Sequence, residues 1–315
     1  MTIGASDISV IICAYTLDRW DDIQDTITAV MGQTQAPRET ILAIDNNDEL
    51  LKRSQELFRG VKVIANAGGP GANGARNTAV SEASGVAVAF LDDDAVPESD
   101  WLAELVQGFS DDKVLGVGGA CIPDFKTARP RWLAPEFDWV VGCSHAGLPR
   151  HDAVVRNVIA ANMAVRSEVL ASVGGFADEL GRLARPGQAV TGTAEETEFC
   201  IRSARLNPGH HWLYSPRARV NHRVPAARVT WSYYVARCRL EGSAKATLAS
   251  REGDSLALAS ERAYTRSVLP KAVLRELRSA LRGDFGGLRC AAAIVAGTAI
   301  TAGWYAVGRA KSIRA

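Results

Sequence analysis

Residues 86–97 read Val86-Ala87-Val88-Ala89-Phe90-Leu91-Asp92-Asp93-Asp94-Ala95-Val96-Pro97, an apolar run followed at once by three carboxylates. The run has the length and composition of a buried β-strand. Three adjacent like charges at its end repel one another unless something offsets them, and hard oxygen ligands of this kind suit Mg2+ or Mn2+ carrying a diphosphate. Along an extended chain, alternation sends Asp92 and Asp94 one way and Asp93 the other. The plainer alternative is a solvated acidic turn capping a helix that begins after Pro97.

The same order of residues recurs upstream. Apolar runs at 9–13, 39–44 and 61–65 alternate with helical periods at 20–31, 50–58 and 74–83. Such alternation predicts parallel strands joined by crossover helices, an α/β fold. Ligands of open sheets of this kind sit outside the carboxyl ends of the strands. The residues that follow each run are therefore site candidates: Ala14-Tyr15, Asp45-Asn46-Asn47, the segment from Asn66 to Gly74, and the three aspartates.

The segment Asn66-Ala67-Gly68-Gly69-Pro70-Gly71-Ala72-Asn73-Gly74-Ala75-Arg76-Asn77 contains a literal G-x-G-x-x-G at Gly69, Gly71 and Gly74. With acids about twenty residues further on, this matches the dinucleotide fingerprint and makes a nicotinamide-dependent oxidoreductase one reading. Pro70 between the glycines, the gap between strand and Gly69, and a preceding strand–helix unit with its own Asp45 count against it. The other reading is a flexible loop into a helix that sets Arg76 and Asn77 beside the aspartates, where Arg76 pairs with them or with a substrate phosphate.

Beyond residue 101 the alternation weakens into a helix at 101–109, a strand at 114–120 and a Pro- and Trp-rich loop at 123–149, read as a substrate-facing lid or platform. A helix at 166–173 stops at Gly174-Gly175. In Thr193-Ala194-Glu195-Glu196-Thr197-Glu198-Phe199-Cys200-Ile201-Arg202, Thr193 caps a helix and Gly192 allows close approach of a ligand. Acids favour a helix N-terminus, yet three exceed what a cap requires, so one of them is a candidate general base. His222 follows an expected strand at 217–220 and is a candidate third metal ligand.

The 315 residues are 47% hydrophobic and 23% charged, enough for a buried core of one or two globular units. The net charge of +1 argues against a dedicated nucleic-acid binder, but it hides an asymmetry. Residues 217–315 carry 18 basic and 6 acidic side chains, so an acidic body bears a basic tail. The six cysteines lie far apart without a C-x-x-C pair, which fits a reducing compartment better than a disulfide frame or a zinc knuckle. The N-terminal apolar run is too short for a signal peptide and reads as a strand.

Taken together these residues resemble a family 2 glycosyltransferase of the GT-A fold, over roughly residues 8 to 240. The resemblance implies a Rossmann-like, mostly parallel sheet flanked by helices. Within it, residues 1–110 form the nucleotide-sugar-binding half and 111–225 the acceptor-binding half, followed by a basic helical extension at 226–315. It places Ala14 and Tyr15 at the end of the strand that meets the nucleotide base, and Asp45 at the uracil ring. Asn66, Gly71, Arg76 and Asn77 fall in a G-x-x-x-A-R-N segment at the donor. Asp92-Asp93-Asp94 resembles the D-x-D motif, with Asp92 towards ribose and metal, Asp93 beside the donor and Asp94 as principal metal ligand. Asn162 approaches the donor sugar, and His222 resembles the metal-binding histidine. Glu195-Glu196-x-Glu198-Phe199-x-x-Arg202 resembles the helix carrying the catalytic base, which leaves Glu195 and Glu196 as the two candidates.

The activity so implied is inverting transfer of one sugar from a nucleoside diphosphate sugar, UDP favoured, to an acceptor hydroxyl, with Mn2+ or Mg2+. The Q-x-x-R-W motif of processive synthases is missing, which favours single transfer over polymerisation. The charge-free stretch 290–308, flanked by basic residues, points to an anionic membrane surface more than to a span, since Ala, Gly and Thr dominate it. The expectation is a cytoplasmic protein held peripherally at the inner face of the cell membrane, acting on a carbohydrate or lipid-linked acceptor. A non-catalytic, membrane-associated scaffold is the remaining alternative.

Overall fold

Strands β1 (Ile8–Ala14), β2 (Glu39–Ile44), β3 (Lys62–Ala65) and β4 (Ala87–Asp92) pair in parallel in the order β3-β2-β1-β4. Helices α1 (Trp20–Met31), α2 (Asp48–Leu57) and α3 (Ala72–Ser81) connect them. This computed structural model describes residues 3–177, 195–253 and 258–314. The expected cap Thr193 and the glycine Gly192 lie outside the described residues. β1, β2 and β4 are apolar runs because both faces are covered, while β3, at the edge of the sheet, is half-exposed. Val10, Ile12 and Leu42 enter one core layer with Ile23 and Val30 of α1. Ile11, Ile41 and Phe90 enter the opposite layer with Ala75 and Ala79 of α3.

Beyond β4 the sheet becomes antiparallel. β8 (Asn162–Arg166) pairs with both β4 and β6 (Val114–Phe125), and the order continues through β9 (His211–Val224) to β5 (Ala95–Pro97), while β7 (Ala153–Val155) pairs with β9. The parallel arrangement thus belongs to the first four strands and the whole sheet is mixed. α1 to α3 link the parallel strands, whereas β8, between β4 and β6, runs antiparallel to both, and α4 (Trp101–Gly108) leads from β5 into β6. The expected halves 1–110 and 111–225 share this one sheet.

Two compact units divide the described chain: 3–122, 149–177 and 195–223 in the first, and 123–148, 224–253 and 258–314 in the second. The second is helical. α7 (Trp231–Glu252) is followed by a helical turn Ala259–Ala263 and a π-helical segment Tyr264–Val268, which leads into α8 (Leu269–Leu281) and α9 (Gly286–Arg314). Its core joins Phe137, Val141, Tyr234, Cys238, Leu269 and Ile294. Tyr234 Oη donates to the Ala293 carbonyl at 2.8 Å, and a Cβ on Gly297 would stand 2.1 Å from that oxygen, so only glycine lets α9 approach α7 here. The Pro- and Trp-rich segment, expected as a substrate-facing lid or platform, also contributes to this core. Phe137 is buried and Trp132 packs edge-on against Trp231 and Tyr234, so its aromatic residues serve the core of the second unit.

Candidate active site

Register brings the carboxyl ends of the parallel strands level. Cys13 is opposite Asp92 and Ala14 opposite Ile44, while Asp45 N donates to Ala14 O and Asn66 N to Ile44 O, both at 2.8 Å. Ala14 is buried and offers only backbone, whereas Tyr15 is 57% exposed with the Arg19 guanidinium 5.6 Å from its ring centre. Asp45 holds the glycine-rich loop: Oδ1 accepts from Asn66 Nδ2 at 2.7 Å and Oδ2 from Gly71 N at 2.8 Å. Asn66 Oδ1 in turn accepts from Gly68 N and from Thr78 Oγ1, both at 2.9 Å. Gly71 has φ 105°, and a Cβ on Gly74 would fall 1.7 Å from Gly69 O. The glycines therefore serve a positive φ and a close loop–helix contact. The Gly71 amide faces the Asp45 carboxylate, where the dinucleotide reading would need it to face a pyrophosphate.

At the end of β4 the chain turns through Asp93 and Asp94 into β5, whose Ala95 pairs with His222 of β9, and Arg223 N donates to Asp94 O at 2.8 Å. This register, between segments more than a hundred residues apart in sequence, carries the imidazole onto the aspartates. His222 Nε2 is 3.4 Å from Asp94 Oδ1 and 3.9 Å from Asp92 Oδ2. Asp92, Asp94 and His222 each present a ligand atom within 4.8 Å of the others. Two carboxylates and an imidazole form a donor set suited to a divalent ion of the Mg2+ or Mn2+ type. Asp94 and His222 are buried, and the 37% exposed side chain of Asp92 opens the group to solvent. His222 was expected just after a strand; it lies inside β9, because that strand runs unbroken to Val224.

Asp93 turns to Arg19, which donates to it at 2.6 Å and stands 3.2 Å from Asp94 Oδ2. Burial pushes the Asp93 carboxyl up to about 7; Arg19 opposes this, and Asp94 and Asp92 reinforce it. Desolvation in the cleft pushes Asp92 up as well, but the nearby His222 and the Arg76 charge outweigh it and hold that carboxyl below the usual range. Arg76 is buried, with Nη2 3.4 Å from Asp92 Oδ1 and its guanidinium 5.5 Å from the Phe176 ring centre.

The field of Arg76 also reaches Glu196 and Glu195, at the start of α6 (Glu195–Leu206). Burial raises the pKa of Glu196, Arg76 and the Ala160 backbone amide pull against the shift, and Asp92 adds to it. Glu198 is occupied otherwise: it accepts from Arg202 Nε at 2.7 Å, and Arg202 also donates to Val173 O and, at 2.7 Å, to Gly175 O. The third acid of the run therefore closes the turn after α5 (Ser167–Val173). Arg19, Thr78 and this role of Arg202 were not anticipated from sequence, and only long-range placement reveals them.

Two residues expected at the donor are spent on the protein itself. Asn77 Nδ2 donates to Phe176 O at 2.8 Å and Oδ1 accepts from Phe176 N at 2.9 Å, which docks the turn after α5 onto α3. Asn162 is wholly buried; its Oδ1 accepts from Trp101 Nε1 at 2.8 Å and its Nδ2 donates to Ala218 O at 2.9 Å and Ala120 O at 3.1 Å. With both donors and the acceptor engaged, it ties strands together and has no group to turn to a sugar. Asn162→Ala should lower unfolding stability by roughly 2–4 kcal/mol in a denaturant titration, because it strands buried partners. An unchanged midpoint would contradict this role.

A model of glycosyl transferase family 2 matches residues 9–174. The glucosyl-dolichyl phosphate glucuronosyltransferase of Haloferax volcanii is 31% identical over 242 residues, covering 76% of this chain and 76% of that protein. Glycosyltransferase AglE of the same organism is 27% identical over 188 residues, 57% of this chain and 59% of its own. Mannosyltransferase PcManGT from Pyrobaculum calidifontis, solved with GDP-Man and Mn2+, is similar with a TM-score of 0.59 at 19% identity, over 95% of this chain and 87% of that one. GalNAc-T7, solved with UDP, GalNAc and Mn2+, has a TM-score of 0.52 at 18% identity, over 78% and 51%. These structural likenesses show the GT-A fold.

Proposed function

The chain belongs to glycosyl transferase family 2, and from that premise we propose single, inverting transfer of a sugar from a nucleoside diphosphate sugar, UDP favoured, to the hydroxyl of a lipid-linked acceptor. The observation that carries the proposal is the meeting of Asp92, Asp94 and His222 at the strand ends, with Arg76 beside Asp92 and its charge felt by Glu196. A divalent ion bound there, Mn2+ or Mg2+, supplies neutralisation of the departing diphosphate. Arg76 adds positive charge beside the same group. Asp45, half-buried and anchoring the glycine-rich loop, is positioned for the base, with Tyr15 exposed beside it.

Glu196 takes the proton from the acceptor hydroxyl as that oxygen attacks the anomeric carbon from the face opposite the diphosphate. Its raised pKa suits it to hold that proton. The Haloferax relative, by its name, acts on glucosyl-dolichyl phosphate, which supports a polyprenyl-linked sugar as acceptor and a place at the membrane, whose cytoplasmic face is the side we propose. The nucleotide-sugar half is assigned to residues 1–110 and the acceptor half to 111–225. Family membership sets aside the nicotinamide and scaffold alternatives.

Incubation with UDP-sugars and a polyprenyl phosphate-linked glycan should yield one added sugar of inverted anomeric configuration by NMR. Retained configuration, or nucleotide-sugar hydrolysis alone, would refute the assignment. Turnover should also depend on pH. A base must be deprotonated to work, so kcat should climb with rising pH through the elevated pKa of Glu196, giving an acid limb above the ordinary glutamate range. A profile with no acid limb at saturating metal would exclude Glu196 as that base.

A further inference from the structure

Helix α8 buries Leu269, Ala272, Glu276 and Ala280 against the second unit, as an amphipathic helix should. It does not turn a polar surface to water everywhere else. Leu274, Leu277 and Leu281 are 46%, 40% and 89% exposed, and their spacing of three and four residues places them on one stripe. Past the short turn into α9 stand Phe285, 74% exposed, and Leu288, 51% exposed. Scattered exposed leucines need no explanation, but a helical stripe followed within a few residues by two more exposed apolar side chains does.

Asp284, in the turn itself, is paired with Arg131, and the charges around the stripe that make no salt bridge among the described residues are all basic. Lys271, Arg278 and Arg282 flank it on the helix, and Arg289 follows Leu288. Among the described residues none of these four makes a salt bridge. The other cations of the same region are paired: Arg275 with Glu136 and Glu276, and Arg131 with Glu276 and Asp284. An apolar stripe rimmed by cations and ending in exposed side chains at a helical turn complements an anionic lipid surface, whose phosphates meet the rim while the acyl boundary takes the apolar tips.

Helix α9 is long and apolar enough to cross a bilayer, and only 28% of its apolar window is buried. Yet it lies along α7 over much of its length: Tyr234 bonds Ala293 O, a Cβ on Gly242 would meet Thr301 O at 2.3 Å, and one on Gly308 would meet Ala246 at 2.5 Å. α7 carries Arg237, Arg239, Glu241 and Lys245 over the same stretch. Drawing α9 through hydrocarbon would take these charges with it.

We propose that the α8–α9 hairpin is a monotopic anchor: Leu277, Leu281, Phe285 and Leu288 enter an anionic bilayer surface, Arg278, Arg282 and Arg289 contact its phosphates, and α9 lies on the membrane without crossing it. This rests on the membrane placement given under the proposed function.

The test uses the full chain with vesicles of phosphatidylcholine, alone or mixed with phosphatidylglycerol, in flotation. The wild type should bind the anionic vesicles at least tenfold more tightly at low salt. Combined Leu281→Ser, Phe285→Ser and Leu288→Ser should weaken binding roughly a hundredfold, and each of Arg278→Gln, Arg282→Gln and Arg289→Gln about fivefold on anionic vesicles only. Metal-dependent nucleotide binding should stay unchanged in all, showing that the fold is intact. A C-terminal tag should remain open to protease added outside; a protected tag overturns the lying arrangement. If the wild type binds and the serine variant binds equally, the wedge is wrong while the membrane placement stands. If the wild type binds no vesicle, the membrane placement itself falls. A wild-type dimer that the serine changes disperse, without vesicle binding, would show a second copy as the occupant and overturn the proposal.

Discussion

Asp94→Ala should abolish metal-dependent nucleotide binding. Asp94 is the buried member of the group that faces His222 most closely, at 3.4 Å, and its removal leaves one carboxylate and one imidazole to hold a divalent ion. Loss of a mere supporting group around a metal weakens affinity about tenfold to a hundredfold, so loss of a ligand should exceed about a hundredfold. The fold should survive, because Arg19 keeps its 2.6 Å bond to Asp93 and the Ala95–His222 pairing is made by backbone. Calorimetric titration of nucleotide at fixed Mn2+, with circular dichroism to verify folding, measures this. A folded Asp94→Ala protein that still binds nucleotide only with metal would remove Asp94 from the ligand set. His222→Ala should behave alike, since its imidazole is buried in the same group.

The second large effect separates binding from chemistry. Glu196→Gln keeps the shape of the side chain and removes its ability to take a proton, so metal-dependent nucleotide affinity should hold while kcat falls about 10²- to 10⁴-fold, the usual contribution of a positioned base. Glu195→Gln should have a smaller effect on kcat. Glu198→Gln should instead lower stability, since it loosens the ion pair with Arg202 that closes the turn after α5. Steady-state rates with nucleotide affinities measured in parallel distinguish the three. A fully active Glu196→Gln enzyme would transfer the role to Glu195 or reject the mechanism.

Local pattern made the strand ends legible. The apolar runs of β1, β2 and β4 need both faces covered, and the polar residues after the parallel strands fall at one edge by register, so Asp45, Asn66 and Asp92 stand out in the sequence itself. Asp93 goes to Arg19 while Asp92 and Asp94 share His222, the division expected from alternation, although the chain turns at Asp93 and Asp94 and does not run extended. What escaped depends on partners distant in sequence. Asn162 looks like a site asparagine, but Trp101, Ala120 and Ala218 claim it, and no local signal tells which strands will lie across it. Arg19 lies in a short 3-10 turn with nothing nearby in sequence to mark its bond to Asp93. The literal dinucleotide motif misleads for a similar reason, since the partner of the Gly71 amide is a carboxylate 26 residues back. Trp132 and Phe137 suggested a platform by composition, and only the helices around Tyr234 show that they serve a core.

The central claim is that the strand-end cluster of Asp92, Asp94 and His222 makes a metal-dependent nucleotide site. Calorimetric binding of UDP, GDP and dTDP to the wild-type protein, with and without Mn2+, tests it most directly. UDP should bind tightly only when the metal is present; binding of none of the three nucleotides under either condition would contradict a metal-dependent nucleotide site.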